Sequence, residues 1–480
     1  MTTVVFEVNE IPFKVLEKYI KENPNSNLSK LSHRIITNAE DLPEDELYPS
    51  QTWASINTGK SFSEHKVKWF SDSIDHNQLY WNDVQKRGYR VSVIGSLHTS
   101  PASKFLNKDH KFVTFIPDFF SSDNLTHPKL YENFQKFNIE VTDENRRVSN
   151  LGLLLKALAS FVKNPTLKGW GLNNFLSIKQ LFSIVSTSIF INKERLRLAQ
   201  FVMSASIFHE SLKKNSDLAI IFTNHVASMM HRYLHAYLET NDCPYDDKWK
   251  KKYKNEISFS IDLLDEWLGK IIRLDKNNKF KIILLSSMGQ KINDRIDQNH
   301  LNKFDHDYIL KEPEKLLSAL VENVPKFESK GVMVPQYSFQ FESSEIAEEL
   351  HRNICKLGTD ENLRFGHYTK NTKGNNLISG FYINSDLNND VVTLSIQLNS
   401  DNLIIKDKKY NFAEVGFDKF KSDNHHSGEH DKRGILWSNF EFSKTNEINY
   451  LEFREMILKF IDENQSRRSG SSSHNTSIVG

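Results

Sequence analysis

The chain has 480 residues, with 62 lysines and arginines, 61 aspartates and glutamates, and two cysteines. This length exceeds one small domain and can bury a sizeable core. A formal charge of +1 excludes a general attraction to nucleic acid, so we expect no nucleic-acid partner. Cys243 and Cys355 allow at most one disulfide, which excludes a disulfide scaffold and favours a reducing compartment.

The N-terminal residues show no basic segment followed by an apolar stretch, so we expect a cytoplasmic protein without a cleaved leader. The most apolar stretches, 151–162 and 182–191, are well short of the roughly 20 residues that cross a bilayer. We therefore expect no transmembrane segment. Peripheral membrane contact and the oligomeric state stay open.

Four short apolar runs are typical of buried parallel strands, and helical patterns lie beside them. The runs are Val4–Val8, Val91–Gly95, Leu218–Thr223 and Lys281–Leu285. This alternation predicts an α/β fold, with a doubly wound, mostly parallel sheet and helices on both faces. Ligands of such sheets bind beyond the carboxyl ends of the strands, so the residues that follow each run are candidate site residues.

Two stretches interrupt the alternation. In the first, residues 126–215, apolar residues recur at three- and four-residue spacings, which is typical of helices. In the second, residues 330–420, short apolar runs alternate with Asn, Asp and Gly turns, which is typical of short strands. The predicted units are an α/β core at 1–125, 216–329 and 421–464, a helical insertion at 126–215, a smaller β-rich insertion at 330–420 and a disordered tail at 465–480.

The most informative segment runs from Tyr48 to His65, YPSQTWASINTGKSFSEH. It resembles the nucleophile segment of the alkaline phosphatase superfamily, in particular its type I phosphodiesterase/nucleotide pyrophosphatase branch. The resemblance implies that Thr52, before an aromatic residue, is the nucleophile, with Ser50 as second candidate. A hydroxyl at a helix N-terminus is suited to this role because backbone N–H groups can hold a phosphoryl oxygen. A capped turn is the alternative interpretation.

Further elements follow in the order that the superfamily requires. His231 and His430 match two of its histidine ligands, whereas Asn9, Ala227, Ser287 and Met288 stand where three aspartates and a histidine are usual. The resemblance therefore implies a degenerate metal site. We expect at most one divalent ion (Zn, Mn or Mg), held by Asn9, His231 and His430 with help from Glu7 or Glu10.

Other polar residues follow the predicted strands. His98, Asn224 and His225 are expected to contact the substrate, as is Ser50. His235 shares a helix face with His231, and His425 and His426 lie close to His430, so each could add a ligand. The alternative for the His231 and His235 pair is surface histidines on an amphipathic helix. The alternative for His425, His426 and His430 is a polar loop without a metal.

The sequence thus predicts a phosphoryl- or phosphodiester-directed hydrolase or transferase with Thr52 and His231 as catalytic residues. The substrate class would be a nucleotide sugar or a glycan precursor, that is, a small-molecule or glycan phosphate. Two alternatives stay open. One is a binding protein that retains the fold without two-metal catalysis, and the other is a metal-independent group transferase with a histidine base.

Overall fold

The protein is described by a computed structural model. It describes all residues except 44–46, 73, 144–166, 173, 240–242, 278, 295–305, 331–335, 358–371, 374–375, 378–381, 398–401, 422–426 and 473–480.

A central sheet of eight strands organises the molecule. Its strands are β1 (Thr2–Val8), β2 (His33–Asn38), β3 (Val91–Ile94), β4 (Phe112–Ile116), β5 (Leu218–Thr223), β6 (Phe280–Leu285), β19 (Arg433–Ser438) and β20 (Glu447–Asn449). Their spatial order is β20-β2-β19-β6-β1-β5-β3-β4. Only β19 runs antiparallel to its neighbours, so the predicted mostly parallel sheet is confirmed, and its four predicted strands all lie in it.

Helices cover both faces of this sheet, because side chains of a buried strand alternate between two apolar layers. In β1, Val4 and Phe6 face one layer and Val5 faces the other. The main helices are α1 (Phe13–Glu22), α2 (Pro49–Thr58), α3 (Phe62–His65), α4 (Tyr80–Lys86), α5 (Glu132–Asp143), α6 (Phe175–Phe190), α7 (Ala199–Leu212), α8 (His225–Leu238), α9 (Asp247–Tyr253) and α10 (Glu256–Leu274). The first layer contains α1, α7, α8 and α10, and the second contains α2 and α4. The predicted α/β class is therefore confirmed.

The stretch between β4 and β5 contains the helices α5, α6 and α7. It is tied to the core by a buried ion pair in which Arg195 Nη2 lies 2.7 Å from Glu256 Oε1 at the start of α10. The apolar run at 151–162 lies outside the described residues. The boundaries of the insertion stay a prediction.

A second apolar core lies within residues 306–421. Its strands are β8 (His306–Leu310), β9 (Phe327–Lys330), β10 (Gln336–Phe341), β11 (Thr372–Lys373), β12 (Asn376–Leu377), β13 (Tyr382–Asn388), β14 (Val391–Gln397), β15 (Asn402–Ile405), β16 (Lys408–Asn411) and β17 (Phe417–Lys421). Two helices, α11 (Pro313–Leu320) and α12 (Ser344–Ile354), complete this core. Only α12 lies within the stretch 330–420 that was predicted to be β-rich.

A two-stranded ribbon and a C-terminal helix finish the fold. The ribbon pairs β7 (Gly289–Ile292) with β18 (Gly428–Asp431) in antiparallel register. The helix α13 (Phe453–Ser472) packs on the α2 side of the sheet. It extends to Ser472 and so includes the start of the stretch 465–480, where we expected a disordered tail, while 473–480 lie outside the described residues.

Two further sequence expectations concern the environment of the chain. Cys243 and Cys355 are free thiols, so they form no disulfide with each other. Within the described part of the chain, no helix combines the length and the apolar character that crossing a bilayer requires.

Candidate metal centre and its surroundings

The candidate site lies at the carboxyl edge of the central sheet. Since β1 pairs in parallel with both β5 and β6, these three strands end at the same edge. Asn9 and Glu10 follow β1 there, Asn224 follows β5, and Ser287 follows β6. The ribbon of β7 and β18 and the first turn of α2 contact the same edge. The chain thus brings together side chains that are hundreds of residues apart in sequence.

Glu10 is the centre of this group. It is 2% exposed, and its backbone is left-handed with φ 56°, an uncommon conformation for a residue with a side chain. Its Oε2 lies 2.8 Å from His231 Nε2 and 3.5 Å from His430 Nε2. A strained backbone at a convergence of ionisable groups is typical of functional sites.

Both imidazoles are held by their other nitrogen. His231, on α8, donates its Nδ1–H to the Gly428 carbonyl at 3.1 Å. His430, on β18, donates its Nδ1–H to the Leu47 carbonyl at 2.6 Å. Carbonyl oxygens only accept, so each Nδ1 carries a proton and each Nε2 faces Glu10. Histidines that bind metal ions are commonly oriented in this way.

The pKa values of Glu10 and His430 are both shifted in this cluster. Burial alone would raise the pKa of Glu10, but the adjacent His430 and His231 rings hold it well below its usual range. Burial would lower the pKa of His430, yet the Glu10 carboxylate raises it. Glu10 is therefore an anion at neutral pH, and its buried charge must be balanced by protons on the imidazoles or by a cation.

These three residues also fit a metal ion. Their ligand atoms all lie within 4.8 Å of one another, and in the described part of the chain this is the one group of three or more His, Cys, Asp or Glu side chains that does so. Two imidazole nitrogens and one carboxylate oxygen leave a position open, as in catalytic zinc sites. Glu10, His231 and His430 therefore provide donors for one ion.

Asn9, predicted as a metal ligand, lies beside the cluster and is bonded to Glu10. Its Oδ1 accepts a 2.8 Å hydrogen bond from Trp53 Nε1, and its Nδ2 donates to Glu10 Oε1 at 2.7 Å and to Asn224 Oδ1 at 2.9 Å. Through these bonds Asn9 connects α2 to Glu10. The carboxylate that joins the histidines is Glu10, which the sequence analysis named only as an auxiliary ligand.

Thr52 lies in the first turns of α2 and is buried. Its backbone N–H donates to the Tyr48 carbonyl at 3.1 Å, so this N–H is not free to hold a phosphoryl oxygen as we expected. Its Oγ1 lies 2.8 Å from Ser287 Oγ, and the backbone carbonyls of Tyr48 and Pro49 lie 3.4 and 3.5 Å away. None of these recorded partners is an imidazole or a carboxylate.

Ser50 and His98, which were predicted to contact the substrate, contact each other. Ser50 donates its hydroxyl to the Lys68 carbonyl, and its own carbonyl accepts from His98 Nε2 at 2.7 Å. Burial lowers the pKa of His98 to about 4, so the ring is neutral. This pair holds the start of α2 against the segment that follows β3.

His225, a predicted substrate contact, is buried and lines the small cavity beside Asn224 that is described below. Its Nε2 donates to the Ser260 carbonyl at 3.1 Å, and its Nδ1 lies 2.6 Å from Thr223 Oγ1. The ring stacks on Phe201 with centroids 3.7 Å apart. Burial lowers the pKa of His225 to about 3, and both nitrogens are engaged.

The other histidines considered in the sequence do not join the cluster among the described residues. His235 is buried, and its Nδ1 lies 3.0 Å from Ser427 Oγ. His425 and His426 lie outside the described residues. Sequence reasoning missed Gln290, which pairs with His430 in the ribbon and donates its Nε2–H to Glu10 Oε2. Its only sequence signal was its position shortly after a strand.

A cavity of about 70 Å³ lies beside Asn224. Polar side chains line it, among them Arg197, Gln200, Asn224 and Ser228, together with Phe119 and Phe222. Asn224 in turn bonds to Asn9, which bonds to Glu10. The predicted substrate contact Asn224 therefore lies between the cavity and the candidate metal centre.

Comparisons with known proteins give fold-level similarities only. No family model matches the chain, and no curated protein matches it in sequence. Among solved structures, murine ectonucleotide pyrophosphatase/phosphodiesterase 5 is 9% identical over 96% of this chain and 95% of that chain, with a TM-score of 0.39. Phosphonoacetate hydrolase from Sinorhizobium meliloti 1021, in complex with phosphonoacetate, is 11% identical over 96% of each chain, with a TM-score of 0.41. Alkaline phosphatase from the Antarctic bacterium TAB5 is 9% identical over 96% of this chain and 98% of that chain, with a TM-score of 0.37.

Proposed function

We propose that this protein is a phosphoryl-directed hydrolase that works with one divalent metal ion held by Glu10, His231 and His430. The observation that carries the proposal is the convergence of their three ligand atoms within 4.8 Å. Zinc suits this donor set because it accepts imidazole nitrogen and carboxylate oxygen in a four-coordinate site. When bound, the ion supplies Lewis-acid polarisation of a phosphoryl oxygen.

The surrounding residues fix the Glu10 carboxylate. Asn9 Nδ2 donates to Oε1, and Gln290 Nε2 donates to Oε2 on the other side. Neutral donors of this kind hold a ligating carboxylate in orientation without cancelling its charge. The site is therefore built around an anion that is already in position before a cation or substrate arrives.

Thr52 has one of two roles in this proposal. It is the nucleophile, as the family resemblance implies, or it orients one through its hydroxyl contact with Ser287. The second role fits its recorded contacts better because none of its hydroxyl partners is a base. His231 would hold the metal or the transferred group directly.

For the substrate we propose a phosphodiester of the nucleotide-sugar or glycan-precursor class. Support comes from the cavity beside Asn224, whose lining includes the guanidinium group of Arg197, 2.5 Å from the Glu194 carboxylate. A guanidinium group among hydroxyl and amide side chains suits an anionic ligand that also accepts hydrogen bonds. The free thiols of Cys243 and Cys355 favour a cytoplasmic location for the enzyme.

A binding protein without catalysis is the second candidate. The observation that favours it is the complete burial of Thr52, whose hydroxyl is bonded to Ser287 at a position where the resemblance would place a metal ligand. A metal-independent transferase with a histidine base stays a third alternative. For that role His231 is better placed than His225, because its Nε2 faces the Glu10 carboxylate, whereas the Nε2 of His225 donates to the Ser260 carbonyl.

The test is hydrolysis of bis(p-nitrophenyl) phosphate and p-nitrophenyl phosphate by the full chain after EDTA treatment, with Zn²⁺, Mn²⁺ or Mg²⁺ restored. The proposal predicts activity that needs the added ion and is lost in His231→Asn. Activity that persists in EDTA would support the metal-independent transferase, and bound metal without turnover would support the binding protein. Unchanged activity in Thr52→Ala would exclude Thr52 as nucleophile.

A further inference from the structure

Helix α6 has an apolar face that the described residues leave uncovered. Three phenylalanines on it are largely exposed: Phe175 at 80%, Phe182 at 75% and Phe190 at 85%. Ile178 and Ile189 extend the same face, at 50% and 68%. Monomeric proteins rarely expose such a contiguous patch of large apolar side chains unless it contacts something.

The opposite face of α6 fixes this orientation. Gln180 accepts a 2.7 Å hydrogen bond from Trp267 Nε1 and donates to Glu266 Oε2 at 2.8 Å. Ser177 and Ser188 are buried on the same side. The inner side also buries Ile184, so α6 is apolar on both sides, whereas a surface helix normally exposes a polar face. The buried bonds of Gln180 hold it in this orientation.

The shape of the exposed face is that of a ridge and not of a pocket. The helix has 16 residues, about 24 Å in length, and its exposed rings occur from the first residue to the last. An apolar stripe along a whole helix suits a helix that lies flat in the boundary between lipid headgroups and acyl chains.

The charged residues around α6 indicate which lipid headgroups the helix would favour. Between Leu167 and Lys193 the sequence contains three lysines, at positions 168, 179 and 193, and no aspartate or glutamate. All three lysines are exposed, although Lys179 also lies 3.5 Å from Glu266. In sequence, exposed lysines thus precede, interrupt and follow the apolar stripe. Such a combination favours anionic lipid headgroups.

We propose that α6 docks this protein on the surface of an anionic lipid bilayer, with the rings of Phe175, Phe182 and Phe190 inserted below the headgroups and the neighbouring lysines at lipid phosphates. The docking is peripheral, and it does not depend on the metal centre or on the proposed hydrolase activity.

The test is co-sedimentation of the full chain with vesicles of phosphatidylcholine containing phosphatidylglycerol, and with vesicles of phosphatidylcholine alone. We expect binding to the anionic vesicles that weakens with added salt, and much weaker binding to the neutral ones. The triple variant Phe175→Ser, Phe182→Ser, Phe190→Ser should bind at least about tenfold less, because interfacial binding scales with the apolar area inserted. The matched control Leu125→Ser, Leu130→Ser, which also changes exposed apolar residues, should bind as the natural chain does.

A second variant reports on α6 directly. In Phe182→Trp, the added fluorescence should shift to the blue on anionic vesicles and be quenched by lipids brominated on the acyl chain. No binding to anionic vesicles, full binding by the triple variant, or no quenching would overturn the proposal. So would sedimentation showing a dimer that the triple variant abolishes, because the ridge would then face a second copy of the chain.

Discussion

Glu10 is the residue that organises the site, although the sequence analysis assigned the metal-ligand role to its neighbour Asn9. Asn9 and Glu10 are consecutive, and the family resemblance puts a ligand at Asn9. Which of the two side chains meets the histidines depends on the left-handed backbone of Glu10, at φ 56°. This conformation has no marker in the sequence because residues other than glycine rarely adopt it.

A second buried carboxyl, Glu7 in β1, makes a prediction about pH. Its Oε2 has no hydrogen-bond partner among the described residues, and Oε1 accepts only a long bond of 3.4 Å from the Tyr80 hydroxyl. Burial raises the pKa of Glu7 from 4.5 to about 7. The unfolded chain releases this proton at lower pH than the folded chain does, so the contribution of Glu7 to stability is lost as the pH rises from about 4.5 to about 7.

We therefore expect Glu7→Gln to remove this loss of stability, which is worth roughly 3 kcal/mol. Urea unfolding at pH 5 and pH 8 measures this loss of stability. Tyr80 is the titratable group that contacts Glu7. The variant should be more stable than the natural chain at pH 8 and similar to it at pH 5. Equal pH slopes for the two proteins would contradict the account.

At the scale of elements, two hydrogen bonds fix the start of α2 to the site, one from a side chain of the helix and one to a backbone carbonyl just before it. Trp53 Nε1 donates to Asn9 Oδ1 at 2.8 Å, and the Leu47 carbonyl just before the helix accepts from His430 at 2.6 Å. A displacement of α2 would therefore disturb Glu10 through Asn9 and would release one imidazole.

This arrangement predicts the effect of Trp53→Phe. The substitution leaves the buried Asn9 Oδ1 without its donor, and we expect a loss of about 1–3 kcal/mol in the free energy of unfolding. Binding of Zn²⁺, followed by calorimetry, should weaken as well because Asn9 also orients Glu10.

The matched control is Trp81→Phe. Trp81 is equally buried, but its indole N–H has no hydrogen-bond partner among the described residues. Its loss should therefore cost packing alone and leave the affinity for zinc unchanged. Equal effects of the two substitutions on zinc binding would show that the Trp53 hydrogen bond does not position the site.

The sequence predicted the strands of the central sheet better than the side-chain contacts between elements. Residues 218–223 and 281–285 were predicted as strands from continuous apolar runs, and both lie in the sheet centre as β5 and β6. β2 was not predicted, because HRIITN alternates partly buried side chains instead of forming an apolar run. The contact of Thr52 with Ser287 depends on packing across 235 residues of sequence, which no local pattern encodes.

At the scale of the whole molecule, the core is assembled from distant parts of the chain. β1, β5, β6 and β19 are separated by long stretches of helix and by the second apolar core, yet they form one sheet. Arg195 joins the stretch between β4 and β5 to α10 through two hydrogen bonds to Glu256, of 2.8 and 2.7 Å.

We expect Arg195→Met to lower the free energy of unfolding by about 3–5 kcal/mol, because it leaves the Glu256 carboxylate buried without its cation. The double variant Arg195→Met, Glu256→Met should recover most of this loss, since it removes both charges together. Urea unfolding of the three proteins measures the coupling. A double variant no more stable than Arg195→Met would show that the pair acts through packing and not through its charges.

The most direct test of the central claim is the zinc content of the full chain after loading with Zn²⁺ and exhaustive dialysis, measured by inductively coupled plasma mass spectrometry. The account predicts about one ion per natural chain and little in Glu10→Gln or His430→Asn, since three donors are needed to hold it. The control His209→Gln changes another buried histidine beside a carboxylate and should keep the ion. A natural chain without zinc, or variants that bind as much as it does, would contradict the assignment of Glu10, His231 and His430 as a metal centre.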